Sequence, residues 1–121
     1  MLFRNFKYIR YSLRHWFALN RLAIHTGTWH FRFLLHDLDK VLLYCVTTKD
    51  KASAWHRQHS KHHVRDGHVD DPLQAVLDWE CARFTKPDKP LDAFETWQRY
   101  YPEVREVAPY IRRICGKGEE R

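Results

Sequence analysis

Residues 29–46 read WHFRFLLHDLDKVLLYCV, and their spacing decides the fold class. Phe31, Leu34, Leu35, Leu38, Val41, Leu42 and Cys45 recur at steps of three and four, the stripe of an amphipathic helix. The spacing predicts a helix over 29–46 with His36 and Asp37 near its middle, between core-facing neighbours. A carboxylate buried there without a partner is costly, so Asp37 needs a cation, and a metal ion and Lys40 are the candidates. A histidine followed directly by an aspartate offers an imidazole nitrogen and a carboxylate oxygen that converge on one divalent ion when the backbone is rigid.

The same periodicity extends on both sides. Phe3, Phe6, Ile9, Leu13, Trp16, Phe17 and Leu22 predict a first helix over 3–24, with Arg4, Lys7, Arg10, Arg14 and Arg21 at other positions. His15 falls on the flank of that stripe, where it either faces a pocket edge or stays half exposed. Gly27 and Thr28 suit the end of one helix and the cap of the next. Residues 52–64 form a third element with no broad apolar face; His56, His59 and His63 stand at i, i+3 and i+7, and His62 lies beside them. A metal site, an anion-binding surface and a polar exposed helix each account for that composition.

Asp66-Gly67 reads as a turn, and Asp70-Asp71-Pro72 as a helix start with an aspartate cap and proline in the first turn. The helix predicted over 72–84 has its stripe at Leu73, Val76, Leu77 and Ala82. Asp78 is the acidic residue deep inside it, suited to complete a metal site or to pair with a front-half arginine. Two prolines keep 85–90 a loop, short helices follow over 91–100 and 102–114 with a kink expected at Pro109, and 116–121 is a polar tail.

A chain of 121 residues with 44% hydrophobic content supports one domain, its core over about 3–115, and is too well supplied with bulky side chains to be disordered. Four Gly and five Pro favour helices over a many-stranded sandwich, so the expected fold is an all-α, single-domain bundle of five to six helices. Charge is uneven: residues 1–65 hold 12 basic and 3 acidic side chains, residues 66–121 hold 9 and 12. A front half of such positive charge attracts anionic substrates or nucleic acid. Cys45, Cys81 and Cys115 have no C-x-x-C spacing and suit a reducing cytoplasm as small buried hydrophobes. Charges throughout 1–20 argue against a secretory signal, and no apolar run reaches the ~20 residues that span a bilayer.

Taken in order, a histidine, a His-Asp pair, a histidine cluster and an aspartate on successive helices resemble the HD superfamily of metal-dependent phosphohydrolases. More narrowly, YIRYSLRH ending at His15, LHDLDK over 35–40, the His56–His63 cluster and Leu77-Asp78-Trp79 are similar to a small HD-like family of bacteria and their phages, the DUF5662 type. The resemblance covers about 6–83. It implies that His15, His36, Asp37 and Asp78 ligate one divalent cation (Mn, Fe, Co, Ni, Zn or Mg), with Asp37 bridging to a second. His56, His62 and His63 match the family's cluster, as second-metal ligands or phosphate contacts; His59 matches less well but shares the helical face with His56 and His63.

A cation in such a site lowers the pKa of bound water from near 16 toward roughly 7 and polarises the phosphoryl oxygen. The residues expected to act in catalysis are Asp37, Lys40 and His63, and those expected to hold substrate phosphate are His56, His59, His62 and Arg14. The expected activity is hydrolysis of a phosphomonoester or phosphodiester in a nucleotide or another small phosphorylated molecule. Two other readings remain open: a basic nucleic-acid-binding module with incidental histidines, and an inactive HD-like protein, of phage origin, that binds a nucleotide or partner.

Overall fold

The computed structural model describes residues 6–85 and 91–115. Six α-helices and one 3-10 helix are present among them: α1 (Phe6–His25), the 3-10 helix (Phe31–Leu35), α2 (Leu38–Tyr44), α3 (Lys49–His59), α4 (Pro72–Thr85), α5 (Ala93–Tyr100) and α6 (Ala108–Cys115). The expected all-α bundle is what the chain forms. No helix among the described residues is long and apolar enough to cross a membrane. The Phe3 position of the first stripe, most of the proline loop (86–90) and the polar tail (116–121) lie outside the described residues.

α4 is the axis. Ala75, Val76 and Trp79 face α5, α6 and the segment between them, where Phe94, Val104, Val107 and Ile111 complete one apolar cluster. Leu77 and Cys81 face the other way, against Leu19 and Ala23 of α1 and Phe33 of the 3-10 helix. A helix apolar on both sides belongs at the centre of a bundle. Its start is fixed as expected: Pro72 opens it and the Asp71 carboxylate accepts the Gln74 amide at 3.2 Å. A third small cluster joins Ile9, Tyr44 and Ala52 where α1, α2 and α3 meet.

Two expectations fail here for physical reasons. The helix predicted over 29–46 is broken at His36-Asp37, where Asp37 takes the left-handed conformation (φ 59°, ψ 9°), a choice that costs a non-glycine residue about 1–2 kcal/mol. Side chains of α1 satisfy the carbonyls exposed by the break: Trp16 Nε1 donates to Leu34 O at 2.8 Å and Asn20 Nδ2 to Phe33 O at 3.1 Å. The stripe of α1 is also turned in part, although Ile9 is buried and Leu22 packs against the inner cluster as expected. Phe6, Leu13 and Phe17 are exposed, while Ile9, Ser12, His15, Leu19, Asn20 and Ala23 face inward. Burial of these polar groups is tolerated because each of the larger ones has partners inside, Asn20 also accepting from Trp29 Nε1 at 3.0 Å.

Smaller differences follow the same logic. The third helix ends at His59 and the chain turns extended at Ser60. Asp66-Gly67 does form a tight turn, with both φ values positive and Arg65 paired to His68. Pro109 does not kink a long helix; it lies in the first turn of α6, where its missing N–H costs nothing. α5 begins with a capping box in which Asp92 and Glu95 exchange side-chain and backbone bonds.

The face that α1 turns inward sets an order of mutational cost. Leu19→Ala, at a fully buried position, is expected to lower unfolding free energy by about 2–5 kcal/mol. Phe17→Ser is expected to stay within about 0.5 kcal/mol of the parent, because it alters an exposed side chain. Urea unfolding of the two variants measures both, and the reverse order would return the stripe to the core.

Candidate metal centre

Five stretches of chain deliver their polar side chains to one point between the apolar clusters. His15 comes from the inner face of α1, His36 and Asp37 from the break before α2, His56 from α3, His62 and His63 from the segment after it, and Asp78 from the middle of α4. The break matters for this: non-helical backbone at 36–37 lets adjacent residues both point inward, which a continuous helix would place about 100° apart.

Four of the five imidazoles, all but His63, are anchored on the outer nitrogen. His36 Nδ1 lies 2.7 Å from Gln74 Oε1, and the Gln74 amide is itself oriented by Nε2 donating to Asp71 Oδ2 at 2.9 Å. Asp71 is in turn gripped by Arg32 through Nε (2.8 Å) and NH2 (3.1 Å). His56 Nδ1 sits 2.7 Å from an Asp39 oxygen, and His15 Nδ1 3.3 Å from Thr85 Oγ1, whose own proton goes to Cys81 O. His62 Nδ1 meets Ser60 Oγ at 3.3 Å. An amide oxygen and a carboxylate only accept, so Nδ1 of His36 and His56 must carry the proton, and neutral rings then present Nε2 lone pairs inward. Metal-ligating histidines are held in this way.

The inward atoms converge. One ligand atom each from His15, His36, Asp37 and Asp78 lies within 4.8 Å of every other. His36 Nε2 is 3.2 Å from Asp78 Oδ1 and 3.4 Å from Asp37 Oδ2, and His15 Nε2 contacts Asp78 Oδ1 directly. His56, His62 and His63 make a second group within the same span, and Asp37, Asp39 and His56 a third. Asp37 joins the groups, with Oδ2 toward His36 and Oδ1 2.8 Å from His56 Nε2 and 3.3 Å from His62 Nε2.

Two observations test whether this donor set suits a cation. Asp37 Oδ1 and His63 Nε2 are buried and accept no well-aligned hydrogen bond. His56 Nε2 and His62 Nε2 face each other at 3.3 Å, so when both rings are neutral and protonated on Nδ1 their lone pairs repel. Either an extra proton or a metal ion relieves such crowding of acceptors, and nitrogen and oxygen donors in this mixture suit a first-row divalent ion. The residues therefore fit a metal; buried His and Asp groups of this centre could hold one.

Electrostatics follow from the same crowding. Burial opposes charge on His36, but the Asp37 carboxylate and then Asp78 outweigh it and hold the ring up to about 9. Burial likewise opposes ionisation of Asp37 and Asp78, yet His36 and His15, respectively, lead the groups that hold them well below the ordinary carboxylate range. Burial opposes charge on His56, and Asp37 and Asp39 raise it. Burial, helped by neighbouring imidazolium charge, lowers His62 and takes His63 down to about 3.

The expected metal ligands His15, His36, Asp37 and Asp78 thus come together, as do His56, His62 and His63. His59 is outside the ligand groups, because α3 ends there and helical spacing cannot be extended to residue 63; its ring stacks on Trp55 at 4.1 Å and lines the hollow beside His36 and His56. Lys40 is not one helical turn from His36, because α2 begins at Leu38, and among the described residues no ion pair links it to Asp37. Arg14 is exposed beside a groove with Phe17 and Phe84, away from the centre. Asp39, Gln74 and Thr85 are contributors that the sequence reading does not single out. Asp39 lies inside HDLDK, where its proximity to the His-Asp pair is a usable signal, whereas Gln74 and Thr85 are read only from the register of α4 against its neighbours. The centre separates two hollows, one of about 450 Å³ beside Arg32, Trp55 and Lys61, the other of about 210 Å³ beside His63, Asp78 and Tyr101.

The raised His36 value makes its proton stabilising below 6.5, the ordinary histidine value, and that contribution is lost as pH rises through about 9. The depressed His63 value works oppositely: its contribution is present above 6.5 and lost as pH falls through about 3. The melting temperature of chelator-treated protein should therefore peak near 6.5, and added Co2+ should remove the alkaline decline; a flat profile would contradict these protonation states. Gln74→Leu should weaken Co2+ affinity about 10–100-fold, measured by titration of the visible absorption. No family model, curated protein or solved structure matches this chain.

Proposed function

We propose that this chain is an HD-like, metal-dependent phosphohydrolase acting on a nucleotide or another small phosphorylated substrate. The observation that carries the reading is the convergence of His15, His36, Asp37 and Asp78 at mutual ligand distance with their outer hydrogen bonds already made. These four would hold one divalent cation, and His56 and His62 with Asp37 Oδ1 a second. A cation held there supplies Lewis-acid polarisation of a phosphoryl oxygen and a water of lowered pKa.

The remaining work falls to the chain's own groups. His63 is held neutral by burial and presents an unpartnered Nε2, so it offers a lone pair to a cation or a hydrogen-bond donor rather than a base for proton transfer. Lys61 at the larger hollow draws an anionic group toward the centre. Arg32 borders the same hollow but is committed to Asp71, so its charge contributes while its geometry serves His36. The stacked rings of Trp55 and His59 form an aromatic rim to that hollow.

The test combines elemental analysis with a phosphatase screen over nucleotides and sugar phosphates, with and without chelator. Purified protein is expected to carry a divalent metal and to hydrolyse at least one phosphoester in a chelator-sensitive way. Asp37→Ala is expected to lose the metal while far-ultraviolet circular dichroism stays within about a tenth of the parent, because the helices on either side are held by their own apolar clusters, although Ala at this left-handed position lowers stability by about 1 kcal/mol. Unchanged metal content in that variant would sink the assignment. Metal without turnover would leave an inactive binding protein of the same fold.

A further inference from the structure

α1 carries an apolar stripe that nothing among the described residues covers. Phe6, Leu13, Phe17 and Ile24 are 56%, 45%, 61% and 65% exposed, and Phe84 at the end of α4 is 65% exposed beside them. Two hollows of about 550 and 490 Å³ adjoin along this side and share Phe17, Ala18 and Phe84 as lining. They make one groove along a helix of 20 residues, roughly 30 Å long. Leu19 and Ala23 already anchor the opposite face of α1 in the bundle.

The spacing of the stripe is specific. Phe6, Arg10, Leu13, Phe17, Arg21 and Ile24 follow one another at steps of four, three, four, four and three, the seam of a helix that pairs with another helix. Arg10 and Arg21 occupy two of the six seam positions, Arg14 flanks them, and α1 contains no acidic residue. Among the described residues the arginine ion pairs are Arg32–Asp71 and Arg65–Asp70, so these three arginines have no carboxylate in that set. Charged residues inside a seam choose the partner, because each must meet its opposite.

We propose that the outward face of α1 is the docking seam for an acidic amphipathic helix of a different protein, with its apolar residues between Leu13, Phe17 and Phe84 and its carboxylates on Arg10 and Arg21. A second copy of this chain fits poorly, since pairing α1 with itself brings cationic seams together. Nor do the other described helices offer an acidic face: Asp39 is held by His56, Asp78 lies in the metal centre, and Glu95 closes its own capping box. The proposal is independent of any catalytic activity.

Fluorescence anisotropy with two labelled 21-residue helical peptides tests it, both with leucine at the seam positions and one with glutamate, the other with lysine, flanking them. The full chain is expected to bind the glutamate peptide at least tenfold more tightly than the lysine peptide. Phe17→Ser, whose fold is expected to be intact, should weaken that binding at least tenfold, and the double variant Arg10→Glu, Arg21→Glu should reverse the preference. Equal affinity for the two peptides, no binding of the glutamate peptide, or indifference to Phe17→Ser overturns the proposal. A dimer in light scattering that Phe17→Ser splits would give the face to a second copy instead, and co-sedimentation with phosphatidylglycerol vesicles without peptide binding would give it to a lipid surface; either result also overturns it.

Discussion

A carboxylate that is 7% exposed and ringed by imidazoles organises this molecule. Asp37 sits in a left-handed backbone conformation that interrupts an otherwise helical stretch, and the interruption is what allows it and His36 to aim at the same point. The cost of the conformation and of the burial is offset only if positive charge is available on several sides. α1, α3, the segment after α3 and α4 meet that requirement by bringing histidines or by holding them in place. The three apolar clusters lie around this polar centre rather than forming one continuous core.

That arrangement explains the small size of each cluster and the division of labour between them. α4, α5 and α6 pack through the largest cluster and take little part in the polar centre beyond Asp78 and its neighbours. α1 is tied to α4 by leucines and by His15, and to the 3-10 helix by Trp16 and Asn20. Buried polar contacts of this kind add little net energy each but fix one arrangement, because an alternative packing would leave their groups unsatisfied.

Much of the centre is legible in the sequence and much of the surrounding geometry is not. Chemistry and order identify His15, His36, Asp37 and Asp78, and helical periodicity gives the all-α class. Periodicity misleads at α1, where it ranks Leu13 and Phe17 above Ser12 and Asn20 for burial; hydropathy cannot see that a partner across the bundle will satisfy a polar side chain. It misleads again at 36–37, since a left-handed aspartate leaves the flanking apolar spacing almost unchanged. His59 and His62 exchange standing for a related reason: a helix face persists only as far as the helix, and no glycine or proline announces the end of α3.

The chain from Arg32 through Asp71 and Gln74 to His36 has a consequence for the kinetics of assembly. Asp71 is at once the cap of α4 and a link that orients an imidazole, so the start of the central helix and the aim of His36 are established together as the bundle folds. The ring does not need to search for its rotamer afterwards. Most of the ordering entropy of the centre is thus spent during folding, and what an incoming cation must displace is mainly the protons that the crowded carboxylates have drawn onto the histidines. The affinity of such a centre for a cation would therefore fall as pH falls, because binding has to release those protons.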